Sequence, residues 1–529
     1  MPRWSERGRE VCMTRRVVIV GSGIGALACG AALSSVGTKV TVLEKHHMIG
    51  GYLQGFSRGQ WHFNVGTHYV GDLGASATFS RLMEALTDGH VVWRRLDDIY
   101  ERISADGYGH EIIANTGSEY LRRLQQEFPQ EKKRLRTFFR LLDKMRRKSG
   151  LLFAPKLFTG FGKYVTHALN RVLFFNVWRK TVQEVLDRYF SDERLKMLLA
   201  VHCDKTGLRP DEASFLSWAM IQNSYQNGAC YPENGGEVIS DALRDRITEN
   251  GGTVRVRAGV QRILLNGRGV KGVLLRDGET IECERVISDI GIVETAKKLM
   301  PEGLASPRQQ AVARRYMPSV GYMTLHVGFE GNLSSLGIQN ANYRVLWGDP
   351  YDFTADPLDE KWRPTNVLIT FPSIRDVAHT DMLHHTAEML IPVQFRHFEK
   401  WVDTKVHQRG KAYDAHKKRI TGRLTALLER TFPGIAKCVA FTDLSTPLTY
   451  REYCGHTHGA AYGLASRIGR TTDLDLHPLS DVKGLYYTGA DVLSQGITGA
   501  FMSGIFTAVT VSGKLRILGL RRPRREPVV

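Results

Sequence analysis

The stretch Val17-Val18-Ile19-Val20-Gly21-Ser22-Gly23-Ile24-Gly25-Ala26 decides the fold of this 529-residue chain, together with Thr41-Val42-Leu43-Glu44 further along. The first apolar run predicts a β-strand, and the glycines after it predict a tight turn that opens a helix. The second run predicts another strand, which ends in an acid. This order of elements is typical of folds that bind an adenine dinucleotide: a glycine turn links a strand to a helix, and the next strand ends in an acidic residue.

The small residues of this turn have separate physical roles. Gly21 permits the tight turn, Gly23 lets the backbone approach a pyrophosphate, and Ala26 lets the helix pack close to the strand. The first helical N–H groups and the positive end of the helix dipole then face the phosphates. Glu44 lies where a ribose hydroxyl needs an acceptor. The predicted contacts of this segment are Gly21, Gly23, Gly25, Ala26 and Glu44.

The other end of the chain indicates which dinucleotide binds. Leu485 to Asp491 reads as a short strand ending in Gly-Ala-Asp, and a small-residue helix follows it. Flavoproteins of the glutathione-reductase type end in a similar way. This resemblance implies that Asp491 hydrogen-bonds the ribityl chain of FAD and that Gly489 is also a cofactor-binding residue. It also implies that a helix beginning near Gly499 directs its N-terminus at the flavin, where negative charge builds up on reduction.

A central segment is expected to complete the nucleotide-binding sheet. A helix over residues 237–249 is followed by strand-like runs at 253–256, 260–265 and 286–289, and backbone near Val260 is expected to contact adenine. A second glycine-spaced run, Gly267 to Gly272, lies between two strands with no helix after it, so it predicts a hairpin turn.

The fold class is therefore α/β, with a discontinuous Rossmann FAD-binding domain of the glutathione-reductase type and an inserted α+β substrate domain. The predicted boundaries are 14–75, 232–300 and 475–515 for the FAD-binding domain, 76–231 and 301–474 for the substrate and membrane-associating domain, and 1–13 and 516–529 for tails.

Further motifs carry a family resemblance over nearly the whole chain. Glu44-Lys45, then Gly50-Gly51, then Phe63 to Gly71 with its Gly-x-His-Tyr-x-Gly pattern, resemble the phytoene desaturase and carotenoid isomerase superfamily, and most closely its retinol saturase branch. The resemblance implies that Lys45, Gly50 and Gly51 contact FAD. His68 and Tyr69 follow this segment and are the candidate catalytic residues, although an aromatic pair that packs the isoalloxazine is an equally good interpretation.

The activity implied by this resemblance is saturation or desaturation of C=C bonds in a hydrophobic polyene, with hydride transfer at flavin N5. One alternative is a carotenoid cis–trans isomerase that uses flavin without net redox change. Another is a flavin-free lipid-binding chaperone, and the retained Glu44, Asp491 and glycine turn argue against it. No nicotinamide site is evident, so the electron donor or acceptor is left unassigned.

Charge and cysteine patterns suggest where the protein works. The formal net charge is +18, and residues 132–180 contain fourteen Lys or Arg against one acid, mixed with large apolar side chains. This composition suits the surface of an anionic membrane, with a solvated basic face as the alternative. No nucleic-acid reading module accompanies the charge, so nucleic acid is not an expected partner.

The seven cysteines are scattered without a Cys-x-x-Cys pair, which predicts a reduced intracellular protein without a metal site. No run of eighteen apolar residues occurs. The expected location is therefore peripheral, on the cytoplasmic side of a membrane.

Overall fold

The computed structural model describes residues 16–74, 77–105, 109–114, 116–267, 269–376 and 383–521. The predicted tail 1–13, Arg268 in the second glycine run and the C-terminal residues 522–529 lie outside this part of the chain. Strands in the described part are β1 Val17–Val20, β2 Val40–Leu43, β3 Gly55–Arg58, β4 Trp61–Asn64, β5 Trp93–Arg95, β6 Ile99–Ala105, β7 Gly109–Ala114, β8 Cys230–Pro232, β9 Thr253–Arg255, β10 Val260–Asn266, β11 Gly269–Leu275, β12 Thr280–Glu282, β13 Arg285–Ser288, β14 Gly321–Glu330, β15 Asn342–Leu346, β16 Asn366–Thr370, β17 His384–Val393, β18 Val439–Ser445 and β19 Leu485–Tyr487.

Helices are interleaved with these strands along the whole chain. They are α1 Ile24–Ser34, α2 Thr78–Leu86, α3 Gly117–Glu127, α4 Lys132–Arg147, α5 Ser149–Phe153, α6 Phe161–Leu173, α7 Val182–Tyr189, α8 Glu193–Ala200, α9 Phe215–Ser224, α10 Glu237–Glu249, α11 Ile292–Glu294, α12 Pro307–Arg315, α13 Pro372–Arg375, α14 Lys411–Thr431, α15 Pro447–Tyr453 and α16 Gly496–Ser512.

A parallel sheet in the order β19-β13-β1-β2-β9 forms the nucleotide-binding half of the molecule. Strand β1 lies at its centre, with Val17 beside both Val40 and Arg285. All four residues of β1 are buried, as expected for a strand covered on both faces. Helix α1 is buried along its whole length and packs against α16 and α10. The predicted Rossmann architecture is confirmed, and α10 has the predicted bounds.

Strand β10 does not join this sheet, so the expectation that it completes the nucleotide sheet is wrong. It pairs antiparallel with β11, which pairs in turn with β12, and Asn266 lies opposite Gly269. The glycine-spaced run at 267–272 is thus the turn of a hairpin and the start of its second strand. Strand β10 forms its backbone hydrogen bonds with β11, the next strand in the sequence. Strand β9 takes the edge position of the parallel sheet instead.

A seven-stranded sheet in the order β18-β14-β17-β16-β15-β6-β7 forms the second half. Apolar residues of α14 pack on it, including Ile420 and Leu424, with strand residues such as Leu325 and Met389. A separate core joins β6 to the helices from α3 to α9. No described helix meets the length and apolarity that crossing a membrane requires.

Two boundaries in the packing differ from the predicted domain limits. Helix α2 was assigned to the substrate domain, but Phe79 and Leu82 pack in the core of the parallel sheet. Ile517, assigned to a tail, is also buried in that core. Helix α2 packs against α1 and α16, and residues 515–519 pack against α16. Burial of their apolar side chains therefore places both segments with the parallel sheet.

Candidate active site

A cavity of about 1110 Å³ lies between the two halves of the molecule, and we call it the cofactor cavity. Its wall contains backbone of the glycine turn, the start of α16, residues 65–72 and part of α9. Twelve of the predicted site residues line it: Gly21, Gly23, Gly25, Glu44, Lys45, Gly50, Gly51, His68, Tyr69, Val260, Gly489 and Gly499. Ala26 and Asp491 are not on the wall.

The glycine turn has the geometry that its sequence demands. Gly21 has a φ of +94°, which lies in the region that glycine tolerates best. A Cβ atom on Gly25 would lie 2.7 Å from the Cα of Gly489. The turn after β19 can therefore come this close to the glycine turn only because residue 25 has no side chain. A Cβ atom on Gly504 would lie 2.4 Å from the carbonyl oxygen of Gly25. Ala26 is buried in the interface between α1 and the sheet.

Glu44 connects the end of β2 to the glycine turn. Its Oε2 accepts hydrogen bonds from the backbone N–H and the hydroxyl of Ser22, at 3.0 Å and 2.6 Å. Its Oε1 accepts from the backbone N–H of His46 at 2.8 Å. The carboxylate is thus held in one orientation at the cavity wall, where the predicted ribose contact requires an acceptor.

The second glycine pair lies against the first. The backbone N–H of Gly50 donates to the carbonyl oxygen of Ser22 at 3.0 Å. Gly50 and Gly51 have φ values of +103° and +58°, so both need a residue without a Cβ. Lys45 lies nearby on the wall, and burial lowers the pKa of its ammonium group.

Asp491 lies behind the wall of the cavity. Its Oδ1 accepts from the backbone N–H of Leu464 at 3.0 Å, and its Oδ2 accepts from the backbone N–H of Ile292 at 3.2 Å. Asp491 therefore connects its own segment to the backbone at Leu464 and at Ile292. Its contact with a ribityl chain stays a prediction. Helix α16 begins at Gly496, three residues before the expected start, and Gly499 lies in its first turn.

His68 is paired with a carboxylate that the sequence did not reveal. Its Nδ1 lies 2.8 Å from Oε2 of Glu388, whose side chain is completely buried. The other carboxylate oxygen accepts from the backbone N–H of Asn64 at 2.6 Å. Glu388 comes from β17, 320 positions away, and its strand carries no motif. With Nδ1 engaged, Nε2 is the ring nitrogen left to act in the cavity.

Tyr69 has a different environment from its neighbour. Its hydroxyl donates to Glu101 at 3.0 Å, within a buried ion network in which Arg344 contacts both Glu101 and Asp204. The ring of Tyr69 lies against the ammonium group of Lys205, with 4.6 Å between Nζ and the ring centroid. The charged groups of this network are buried, and Tyr69 and Asp204 also line the cofactor cavity.

Lys205 is another residue that sequence reasoning missed. It lines the cavity, and its Nζ is buried without a hydrogen-bond partner. The ring of Tyr225 lies 4.4 Å from Nζ, which adds a second cation–π contact. Burial lowers the pKa of Lys205 to about 8. No pattern in the sequence distinguishes this lysine from the many on the surface.

The donor set does not suit a metal ion, but it suits FAD. Within the described residues, no group of three or more His, Cys, Asp or Glu side chains is arranged to hold a metal. The glycine turn presents bare backbone and a helix N-terminus to the cavity, as a pyrophosphate requires. Further along, the wall includes Phe153, Leu157, Met220 and Leu390. One cavity therefore offers polar backbone for a dinucleotide and apolar side chains for a hydrophobic substrate, and His68 is part of the same wall.

Comparison with known proteins agrees with this geometry. All-trans-retinol 13,14-reductase of Danio rerio is 27% identical over 93% of this chain and 85% of its own length. The chloroplastic prolycopene isomerase of Arabidopsis thaliana is 22% identical over 96% of this chain and 84% of its own length. The structure of cyclohexylamine oxidase from Brevibacterium oxydans covers 95% of this chain and 100% of its own, with a TM-score of 0.60 and 15% identity.

The sequence profile of the flavin containing amine oxidoreductases matches residues 27–387, which is more than half of the chain. The matched residues include strands of both large sheets, whereas the glycine turn and Glu388 lie outside the match. The chain therefore belongs to the flavin containing amine oxidoreductase family, and it is an FAD-dependent oxidoreductase.

Proposed function

We propose that this oxidoreductase adds two hydrogens to a C=C bond of a hydrophobic polyene. The observation that carries the proposal is His68, which lines the cofactor cavity with its Nδ1 held by the buried carboxylate of Glu388. A relative that covers most of the chain is named a retinol 13,14-reductase, which supports reduction of a polyene over other flavin chemistry.

The reaction needs a hydride on one carbon and a proton on the other. Bound FAD, when reduced, supplies the hydride. In the proposal the proton comes from Nε2 of His68, while Glu388 accepts a hydrogen bond from Nδ1–H and stabilises the imidazolium that donates. The C=C π bond is lost and two C–H bonds form. Reduced flavin must then be regenerated by an electron donor, which we leave unassigned.

Tyr69 is less suited to proton transfer. Its hydroxyl already donates to Glu101, and burial raises the pKa of the hydroxyl well above its ordinary value. The proposal gives it a structural role, in which its ring forms one wall of the cavity and covers Lys205. The residues that would hold FAD are the glycine turn, Glu44, Lys45, Gly50 and Gly51.

Isomerisation is the second candidate function, favoured by the similarity to prolycopene isomerase. An isomerase causes no net gain or loss of electrons or protons in the polyene, so its product has the mass of its substrate. Desaturation is the third outcome and removes two hydrogens. The three outcomes differ in product mass or in retention on a chromatographic column.

The test is an anaerobic incubation of the holoprotein, reduced with dithionite, with all-trans-retinol and in parallel with prolycopene. We expect a product two mass units heavier, formed only when reduced flavin is present. A product of unchanged mass but altered retention identifies an isomerase. A product two mass units lighter, formed with oxidised flavin and an artificial acceptor, identifies a desaturase. No conversion of either polyene under any of these conditions contradicts the proposal.

The same proposal includes docking on an anionic membrane through residues 132–180. Helix α6 exposes apolar side chains along one side, and the segments before and after it extend this surface; its members are Phe158, Phe161, Tyr164, Val165, Leu169, Val172 and Phe175. Other apolar residues of the segment, such as Phe138 and Leu152, are buried in the core. Phe153 and Leu157, next to the exposed surface, line the cofactor cavity. A polyene could therefore pass from lipid into the cavity.

A further inference from the structure

Asp289 follows strand β13 and reaches into the glycine turn. Its backbone N–H donates to the carbonyl oxygen of Val20 at 2.9 Å, which holds it beside the end of β1. A Cβ atom on Gly23 would lie 2.4 Å from Oδ2 of Asp289. A Cβ atom on Gly25 would lie 2.8 Å from Oδ1 of Asp289, and a Cβ atom on Gly489 would lie 2.3 Å from the same oxygen. The carboxyl group therefore lies directly beside the backbone of all three glycines and borders the concavity at the turn.

This concavity is where the cofactor phosphates belong. The second glycine of a dinucleotide turn lacks a side chain so that the pyrophosphate can approach the backbone. In this chain that residue is Gly23, and the space beside it contains the carboxyl oxygen of Asp289. Asp289 is also part of the cavity wall. Phosphate oxygens bound at this turn must therefore lie against the Asp289 carboxyl group.

The surroundings of Asp289 disfavour a negative charge. Burial, joined by the carboxylates of Glu44 on β2 and Asp491 after β19, raises the pKa of Asp289 to about 7, while backbone N–H groups at the start of α1 act in the opposite direction. On α1 the Cys29 thiol is the neighbouring titratable group, and its own pKa is raised by burial and then by Asp289. A pyrophosphate adds further negative charge to this group of acids.

We propose that Asp289 binds the FAD pyrophosphate as the neutral carboxylic acid, donating its proton to a phosphate oxygen, and that FAD binding therefore takes up a proton. A charged carboxylate has only acceptor oxygens and would repel the phosphates, whereas the acid form donates one hydrogen bond. The inference depends on the cofactor and not on the substrate or the direction of the reaction.

The test is calorimetric titration of FAD into the full chain after its own FAD has been removed. Comparison of two buffers with different ionisation enthalpies at pH 8 should reveal uptake of close to one proton per FAD. The dissociation constant should rise about tenfold for each pH unit above about 7, because one unit of pKa corresponds to a tenfold change in equilibrium. Below pH 6 it should be nearly constant.

Asp289→Asn supplies a carboxamide that donates at every pH. This variant should bind FAD with no proton uptake and with a dissociation constant that changes less than about twofold between pH 6 and 9. Asp277→Asn, a change at an exposed acid on the hairpin after β11, should keep the native pH dependence. Binding by the native chain without proton uptake at pH 8 overturns the proposal, even if the Asn variant fails to fold. A pH dependence that persists in the folded Asn variant also overturns it.

Discussion

At the scale of single residues, the His68 and Glu388 pair is the contact on which the proposed proton transfer depends. The two side chains are 320 positions apart in the sequence, and a 2.8 Å contact joins Nδ1 of His68 to Oε2 of Glu388. Glu388 is completely buried and also accepts a hydrogen bond from the backbone of Asn64. It is thus a positioning residue, since it acts on the substrate through His68.

Glu388→Gln should lower kcat by about 10- to 100-fold while KM changes less than about twofold. The amide keeps a hydrogen bond to the ring but removes the charge that stabilises the imidazolium. FAD content and the thermal midpoint should be measured to separate this effect from misfolding. Glu330→Gln, at an exposed acid on β14, is the matched control and should keep native kinetics. Native kcat in both variants would exclude the assigned role of Glu388.

Lys205 is the basis of a second prediction at the scale of single residues, which concerns the pH dependence of the free energy of unfolding. Its pKa is about 8 in the folded protein against an ordinary value of 10.5, so between these values the unfolded chain binds more protons. The stability penalty of this charge is therefore present below pH 8 and is relieved as pH rises towards 10.5.

Relative to Lys205→Met, the native chain should gain about 2 kcal/mol in free energy of unfolding when pH is raised from 7.5 to 9.5. Urea unfolding of both proteins at the two pH values measures this difference. Lys361→Met, which changes a solvent-exposed lysine, should show no such trend. An equal pH trend for Lys205→Met and the native chain would mean that the ammonium group is not disfavoured by its site.

At the scale of elements, α4 and α6 differ in how they use apolar residues. Helix α4 buries Leu135, Phe138, Leu142 and Met145 and turns its basic residues outward. Helix α6 buries little and exposes its apolar side chains. Such a face is costly in water unless another surface covers it. The neighbouring basic residues favour an anionic bilayer as that surface.

Phe161 and Phe175 are 81% and 76% exposed, which makes them the best positions to test docking. The double variant Phe161→Ser with Phe175→Ser should lower partition onto vesicles of anionic phospholipid by at least about a hundredfold, since each buried aromatic contributes about 1.5–3 kcal/mol. Turnover of detergent-dispersed substrate and FAD content should stay near native.

The matched control changes Val92 and Val256 to serine, because both are exposed but lie outside residues 132–180. The control should bind vesicles like the native chain, and binding of both should weaken as salt rises. Equal vesicle binding by the test and control variants would show that α6 is not the docking surface. Loss of FAD in the test variant would instead make α6 a structural element.

At the scale of the whole molecule, the cofactor cavity depends on segments that are distant in sequence. Its wall includes residues from Val20 near the start of the described chain to Leu518 near its end. The parallel sheet contributes the glycine turn, and the seven-stranded sheet contributes the carboxylate that holds His68.

The sequence by itself determined the Rossmann architecture, the bounds of α10 and the identity of the cofactor. The Rossmann architecture depends on local patterns, because glycines at fixed spacing, buried apolar runs and an acid at the end of β2 act within one βαβ unit. The hairpin interpretation of residues 267–272 succeeded for the same reason. The identity of the cofactor came from the resemblance of the segment after residue 485 to flavoproteins. Twelve of the fourteen residues proposed for the site, including His68 and Tyr69, also line one cavity.

Only the tertiary structure decided which groups from elements distant in sequence meet. Pairing of His68 with Glu388, burial of Lys205 between tyrosines and entry of Asp289 into the glycine turn all join residues from separate elements. The sheet to which β10 belongs was misjudged because apolar alternation indicates a strand but does not name its partner. The partner of a strand that is distant in sequence depends on how whole sheets and helices pack on one another, and no local sequence pattern encodes this packing.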